Sequence, residues 1–315
     1  MPHAFNTPPD LLDGLGVPAT PDVPLAPRTW YRTGGNAALY AQPENPEHLA
    51  AVLERCAARG VPFYVLGAGA NLLVADAGVD GVVLRLDAPG FKAVAIDNEA
   101  GRVVAGAGVD LFKLVPATAK AGLDGLVQVA GIPASVGGAV RMNAGGAPGD
   151  VSRGIVRVRV MEPDGAVRDL PREAIRFGYR QTGLADITAP LILETEWRLD
   201  AGDADELTRL YKTLYAKKRD SQPMGDKSAG CCFRNPPAEG AGSADGATAG
   251  MLIDRAGLKG FRVGGAQVSP LHANFVTAAP GSTTADVLAV MTHVEEAVER
   301  ASGVRLQREV VVWGA

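Results

Sequence analysis

Aromatic side chains are scarce in this 315-residue chain, at 5% of the total, and histidines number only four. The histidines, at 3, 48, 272 and 293, follow no ligand spacing, and no CxxC pair accompanies them, so no metal site is expected. Cysteine is limited to Cys56, Cys231 and Cys232. An odd count with two adjacent residues excludes a disulfide framework and suits a reducing, cytoplasmic compartment. No run approaches the roughly 18–20 apolar residues of a membrane span. The opening MPHAFNTPPDLLDGLG has neither the basic start nor the apolar core of a secretory signal. Excess positive charge is missing too: the formal net charge is −4, which gives no electrostatic reason to expect nucleic acid or an anionic membrane as a partner. Nothing in the sequence specifies an oligomeric state.

What is present is an ordinary globular composition, 47% hydrophobic and 21% charged. The length exceeds what one core usually covers, so two or three domains are expected. Residues 1–28, rich in proline, read as an irregular lead-in. A compact α/β pattern occupies 29–88. There Asn45 and Pro46 form a cap and first turn, Leu49, Val52, Leu53 and Cys56 recur at helical spacing, and Gly60 stops the run. An apolar strand at 61–66 follows, and the loop GAGANLL leaves it at Gly67; 82–86 reads as a further strand. From 89 to 200 the texture is short strands and turns. The segments 92–96 and 102–107 form a hairpin about DNEAG, a helix starts at the Asp110 cap, and strands fall at 155–161 and 191–199. A third region, 201–303, opens with an amphipathic helix over 203–219 whose Leu207, Leu210, Tyr211 and Leu214 share one face. AEGAGSADGATAG (238–250) reads as a surface insertion, and a last helix runs from 284 to 301. The closing segment 304–315 reads as a strand with Leu306, Val310 and Val312 on one face and Arg305, Gln307 and Glu309 on the other.

Several segments have the residue types that chemistry needs. The glycines of GAGANLL let backbone amides approach a diphosphate, although the third glycine of a dinucleotide fingerprint is absent and a tight structural turn is an equal alternative. The stretch GLVQVAGIPASVGGAVRMNAGG (125–146) is too poor in periodicity for an element and too long for a passive connection, so it reads as a functional loop lying against a flat ring or a diphosphate, with an irregular packed loop as the alternative. FGYRQTG carries Tyr179 and Arg180, a lone arginine that by itself means nothing. SAGCCFRNP places two thiols in a polar, turn-rich segment, unlike Cys56, whose helical spacing marks a buried structural cysteine. Glu309 is a carboxylate within an apolar strand, for which a solvated face is the simpler account.

Taken together these segments form a pattern. GAGANLL, GIPASVGGAVRMNAGG, YRQT, SAGCCFRNPP, AGMLIDRAGLKG, GGAQVSPLHANF and LQREV occur in one order, and along 29–314 the chain resembles the UDP-N-acetylenolpyruvoylglucosamine reductase family. The resemblance implies an α+β protein with the FAD-binding fold of the vanillyl-alcohol-oxidase type, in two α/β subdomains (29–88, rejoined by the strand 304–315, and 89–200), plus a C-terminal α+β substrate-binding domain (201–303). It implies noncovalent FAD, NADPH as co-substrate, a UDP-sugar substrate and a place in peptidoglycan precursor synthesis. FAD would be cradled by Gly67, Ala68, Gly69, Ala70, Asn71 and Leu72, and by Gly131, Ser135, Gly137, Gly138 and Asn143. Arg180 would bind the enolpyruvyl carboxylate with help from Glu309, and Cys231 would be the proton donor. Tyr179, Asn235 and His272 look like substrate-binding positions. The short segment between Arg180 and Leu191 looks like the variant lacking an extra substrate-capping loop. In this family serine usually stands where Cys231 does, and a lysine is often found where Ser221 precedes Gln222; Arg219 is the expected replacement for that charge. The alternative is another FAD-dependent oxidoreductase of the same superfamily, which has no reason to keep SAGCCFRNPP and Glu309 in register. A non-catalytic flavin or sugar-nucleotide binder would not need the polar residues that these motifs gather.

Overall fold

The computed structural model describes residues 5–184, 190–237 and 246–314. Five strands open the chain, β1 (Ala19–Pro24), β2 (Asn36–Ala41), β3 (Phe63–Val65), β4 (Leu72–Val74) and β5 (Val79–Leu84). Four of them form a sheet in the order β1-β2-β5-β3, with β1 antiparallel to β2 and the other pairs parallel. The crossover between β2 and β3 is α1 (Pro46–Arg59). Asn45 caps it by accepting from the His48 backbone N–H, Pro46 fills the first turn, and left-handed Gly60 ends it. Its buried residues are Leu49, Val52, Leu53 and Cys56, the face that the spacing predicts. β1 lies inside the stretch expected to be irregular. It tolerates Pro21 and Pro24 because it is an edge strand with no second neighbour to supply with N–H donors. Leu11, Leu12 and Val17 join the core under α1.

The next region is a five-stranded antiparallel sheet ordered 167–171, 155–161, 191–198, β7 (Arg102–Gly106) and β6 (Val94–Asp97). Asp110 caps α2 (Leu111–Lys120). The glycine-rich stretch 125–146, expected to hold no element, contains α3 (Val136–Arg141), capped by Ser135 Oγ accepting from the Gly138 N–H at 3.3 Å. Two glycines in six residues hide the period. Val136, Ala139 and Val140 nevertheless follow i, i+3, i+4 spacing and sit in one core with Leu111 and Trp197.

α4 (Ala204–Ser221) starts at its Asp203 cap and lies across α2. Leu207 is buried and Tyr211 and Leu214 half-buried, but Leu210, expected on the same face, is 43% exposed because α4 packs along one narrow edge only. Then come α5 (Ala249–Arg255), a small sheet of 262–263, 266–268 and 276–278, and α6 (Thr284–Ser302), opened by a Thr283–Asp286 capping box. Val290, Met291, Val294 and Val298 of α6 are buried, and Leu288 is partly covered. Most of the expected insertion falls outside the described residues. Its described end is core: Ala247 and Ala249 are buried, and Thr248 caps α5. The closing strand is shorter than expected, Val311–Trp313, and lies parallel to β4. Residues 304–310 keep Leu306 and Val310 buried, but their backbone meets the rest of the described residues through the bridge Phe233–Arg308 and scattered bonds rather than a continuous ladder. Among the described residues no helix is long and apolar enough to cross a membrane.

Candidate active site

Arg180 sits at the tip of the hairpin 175–184, where Gly178 pairs with Gln181 and leaves Tyr179 and Arg180 as a two-residue turn. Its φ is +54°, a left-handed conformation that costs a side-chain-bearing residue about 1–3 kcal/mol and persists only where surroundings enforce it. Two bonds from the end of α3 do so. Asn143 Nδ2 donates to the Gly178 carbonyl at 2.9 Å, and the buried Thr182 hydroxyl donates to the Val140 carbonyl at 2.5 Å.

Glu309 arrives from the far end of the chain. The Glu309 N–H donates to the Cys232 carbonyl at 2.8 Å and the Arg234 N–H to the Gln307 carbonyl at 2.9 Å, which lays 307–309 against 232–234. On its other side the Asn71 amide donates to the Glu309 carbonyl at 3.1 Å. The carboxylate is therefore fixed between the GAGANLL loop and the adjacent cysteines. There Arg180 Nε donates to Glu309 Oε1 at 2.6 Å, with the two side chains 17% and 12% exposed.

The electrostatics of this cluster are dominated by desolvation. Burial pushes the Glu309 carboxyl above its ordinary value, even against the opposing charge of Arg180. Burial, then the Glu309 charge and Cys232, push the Cys231 thiol up to about 12, while Arg180 and Lys218 pull it down. Lys218, half-buried and beside Arg180, is pushed down to about 8 by desolvation first and the Arg180 charge next, and its Nζ donates to the Ala130 carbonyl at 2.7 Å. Sequence reasoning missed Lys218. Its place in the run KKR at a helix C-terminus reads as charge complementing the helix dipole, and the run alone does not say which of its members turns inward. Arg219, the expected replacement, is 62% exposed and pairs with Asp220 at 2.9 Å. A second signal was available. A Cβ on Gly131 would meet Tyr215 Cδ2 at 3.2 Å and Lys218 Cδ at 3.3 Å, so this glycine admits α4 close to the loop.

The remaining expected residues form a connected surface. The Arg180 guanidinium lies over the Tyr179 ring, 5.0 Å from its centroid. The Tyr179 hydroxyl accepts from the Asn235 N–H at 3.2 Å, and Asn235 Oδ1 accepts from the Ala249 N–H at 3.0 Å. His272 faces α5 near Gly250, with Nδ1 accepting from the Asn274 N–H at 3.3 Å; burial holds its pKa below the ordinary value.

The two glycine loops face one another. A Cβ on Gly67 would come within 2.6 Å of Ser135 Oγ, so the first loop can lie against the α3 N-terminus only as glycine. Beside them Asn143 Oδ1 is buried without a hydrogen-bond partner among the described residues. A backbone cradle with an unpaired buried acceptor fits a flat heterocycle carrying N–H groups and a diphosphate, as FAD does. A separate cavity of about 540 Å³ opens next to Ala68, lined by Arg28, Trp30, Tyr40 and Arg85 among others, and does not reach Arg180, Cys231 or Glu309.

Residues 37–171 match the family model of an FAD binding domain. The protein is a flavin-dependent oxidoreductase with the FAD-binding fold of the vanillyl-alcohol-oxidase type, extended by a C-terminal α+β domain. Residues 222–313 match the model of the UDP-N-acetylenolpyruvoylglucosamine reductase C-terminal domain. Proteins named UDP-N-acetylenolpyruvoylglucosamine reductase from Heliobacterium modesticaldum and Paracoccus denitrificans are 41% and 40% identical, over 92% and 94% of this chain and 89% and 95% of theirs. The crystal structure of UDP-N-acetylenolpyruvylglucosamine reductase from Thermus caldophilus superposes with a TM-score of 0.77 at 35% identity, over 94% of this chain and 98% of that one. The chain belongs to the UDP-N-acetylenolpyruvoylglucosamine reductase family.

Proposed function

We propose that this protein reduces UDP-N-acetylglucosamine enolpyruvate to UDP-N-acetylmuramate in the cytoplasm, with NADPH as electron donor, in peptidoglycan precursor synthesis. The observation that carries the reading is the half-buried cluster in which Arg180, Glu309, Cys231 and Lys218, from distant stretches of the chain, act on one another electrostatically. FAD, held noncovalently by the loops 67–73 and 131–143, supplies a hydride when bound.

Addition of that hydride to the terminal enol-ether carbon drives an electron pair toward the substrate carboxylate. Arg180, fixed by its strained turn, offers that carboxylate a preorganised cation. Glu309 assists there by accepting from Arg180 Nε at 2.6 Å, which orients the guanidinium toward that carboxylate. Cys231 stays a thiol throughout the physiological range and gives its proton to the adjacent carbon. The thiolate left behind is stabilised by Arg180 and Lys218 until solvent returns the proton. Tyr179, Asn235 and His272 would bind the sugar nucleotide.

Anaerobic stopped-flow absorbance tests the reading. NADPH is expected to bleach the bound flavin, and the enolpyruvyl sugar nucleotide to restore its colour while the muramate product forms. Bleaching without restoration by this substrate rules the proposal out.

A further inference from the structure

We propose that Tyr31 is a positioning residue for the proton donor, its hydroxyl held against the sulfur of the residue directly after Cys231. The proposal rests on the assignment of Cys231 as the acid. Tyr31 is 1% exposed, and its hydroxyl lies 3.4 Å from the sulfur of fully buried Cys232. Either of these two groups can donate to the other. The phenol thus touches the residue directly after Cys231. On the other side of Cys231, Gly230 turns the chain at φ +76°. Burial, the largest cause, keeps the phenol protonated and the Cys232 thiol neutral.

The other end of this strut is the glycine loop. The Trp30 N–H donates to the Gly69 carbonyl at 3.0 Å, and the Thr284 hydroxyl of α6 pairs with that of Thr33 at 2.9 Å. The segment 29–33 therefore fixes the GAGANLL loop and the Cys231 turn to one short piece of chain. The Cys232 backbone carries the constraint onward: its N–H donates to the Asn274 carbonyl and its carbonyl accepts from Glu309, both at 2.8 Å. A shift of the Cys232 sulfur is felt at Cys231 and at Glu309 together. A proton donor displaced by a fraction of an ångström from the reacting carbon slows proton transfer but leaves hydride donation to the flavin untouched.

The test compares Tyr31→Phe, Cys232→Ala and the double variant in the flavin-loaded enzyme. Substrate-driven reoxidation is expected to slow by roughly tenfold in Tyr31→Phe, about the effect of one lost buried hydrogen bond. Its solvent deuterium isotope effect should rise as proton delivery becomes limiting, while flavin content and reduction by NADPH stay at wild-type values. The double variant should be no slower than Cys232→Ala alone, because both changes cut the same contact. Iodoacetamide labelling of Cys231, followed by mass spectrometry without substrate, should also change rate in Tyr31→Phe. Wild-type labelling together with an unchanged isotope effect overturns the proposal. If wild-type enzyme fails to reoxidise with substrate, the functional reading falls, yet altered labelling of Cys231 still supports the strut.

Discussion

Two sets of arginine–carboxylate pairs stand on neighbouring parts of this molecule and behave in opposite ways. On the outer face of the five-stranded sheet Arg157 reaches Asp169, Glu194 and Glu196 at 2.5, 2.7 and 3.1 Å, with Arg159 and Arg102 completing the network. The carboxyls of Asp169 and Glu196 are held below their ordinary values, that of Glu196 by hydrogen bonds from Arg102 first and Arg157 next. In the cleft a single pair of equally short length, Arg180–Glu309, fails to hold its carboxyl down because burial outweighs the partner's charge. Contact distance alone does not tell a structural ion pair from a chemical one. The water around it does.

The comparison is tested most severely at the groups proposed to touch the reaction. Cys231→Ala is expected to slow substrate-driven flavin reoxidation by roughly 10²- to 10⁴-fold, the usual contribution of a positioned acid. Reduction by NADPH should persist, and Cys231→Ser should remain active. Arg180→Ala is expected to cost about 2.7–4 kcal/mol in turnover, roughly 100- to 1,000-fold, with flavin content retained. Glu309→Gln should likewise slow reoxidation alone. If Arg159→Ala lowers turnover as much as Arg180→Ala, the distinction between the two sets is wrong.

A pH profile sharpens the contrast. The thiol, pushed up to about 12, titrates beyond any useful range, so an alkaline limb cannot be its own. Lys218, pushed down to about 8, loses its charge as pH rises through that value. Turnover is therefore expected to fall above pH 8 in wild type and in Cys231→Ser, and the limb should vanish in Lys218→Met. A limb that disappears in Cys231→Ser instead returns the titration to the thiol.

The smallest effect belongs to the surface. Glu196→Gln is expected to cost under about 1 kcal/mol in urea unfolding at pH 7, because its first partner, Arg102, is 44% exposed and screened by solvent. Because its folded pKa lies below the unfolded value, that contribution is complete above about pH 5 and fades as pH falls through the folded value. Wild type and variant should converge in acid.

Much of this was legible in the residues. α1 announced itself by Asn45, Pro46 and Gly60, because caps and apolar period agree there. α3 did not, since glycines needed for a close approach leave too few side chains to mark a period. The prolines of β1 suggested disorder only because an edge strand and a loose segment make the same weak demand for N–H donors. Arg180, Glu309 and Cys231 could be named from motifs, but no spacing foretold that residues 129 positions apart would share a hydrogen bond. Lys218 was invisible for a related reason. A lysine among lysines at a helix end becomes a partly discharged group only when a neighbouring loop removes its water.

The parallel pairing of Leu72–Val74 with Val311–Trp313 carries a consequence for how the protein comes into being. These strands can meet only after almost everything between them has found its place, and closing so large a loop is entropically late and kinetically slow. Until it closes, Asn71 has no Glu309 carbonyl to hold, and the glycine loop lacks one wall. If the glycine loop holds FAD as proposed, cofactor capture becomes a report on completed folding, and bound FAD would favour the closed state by mass action.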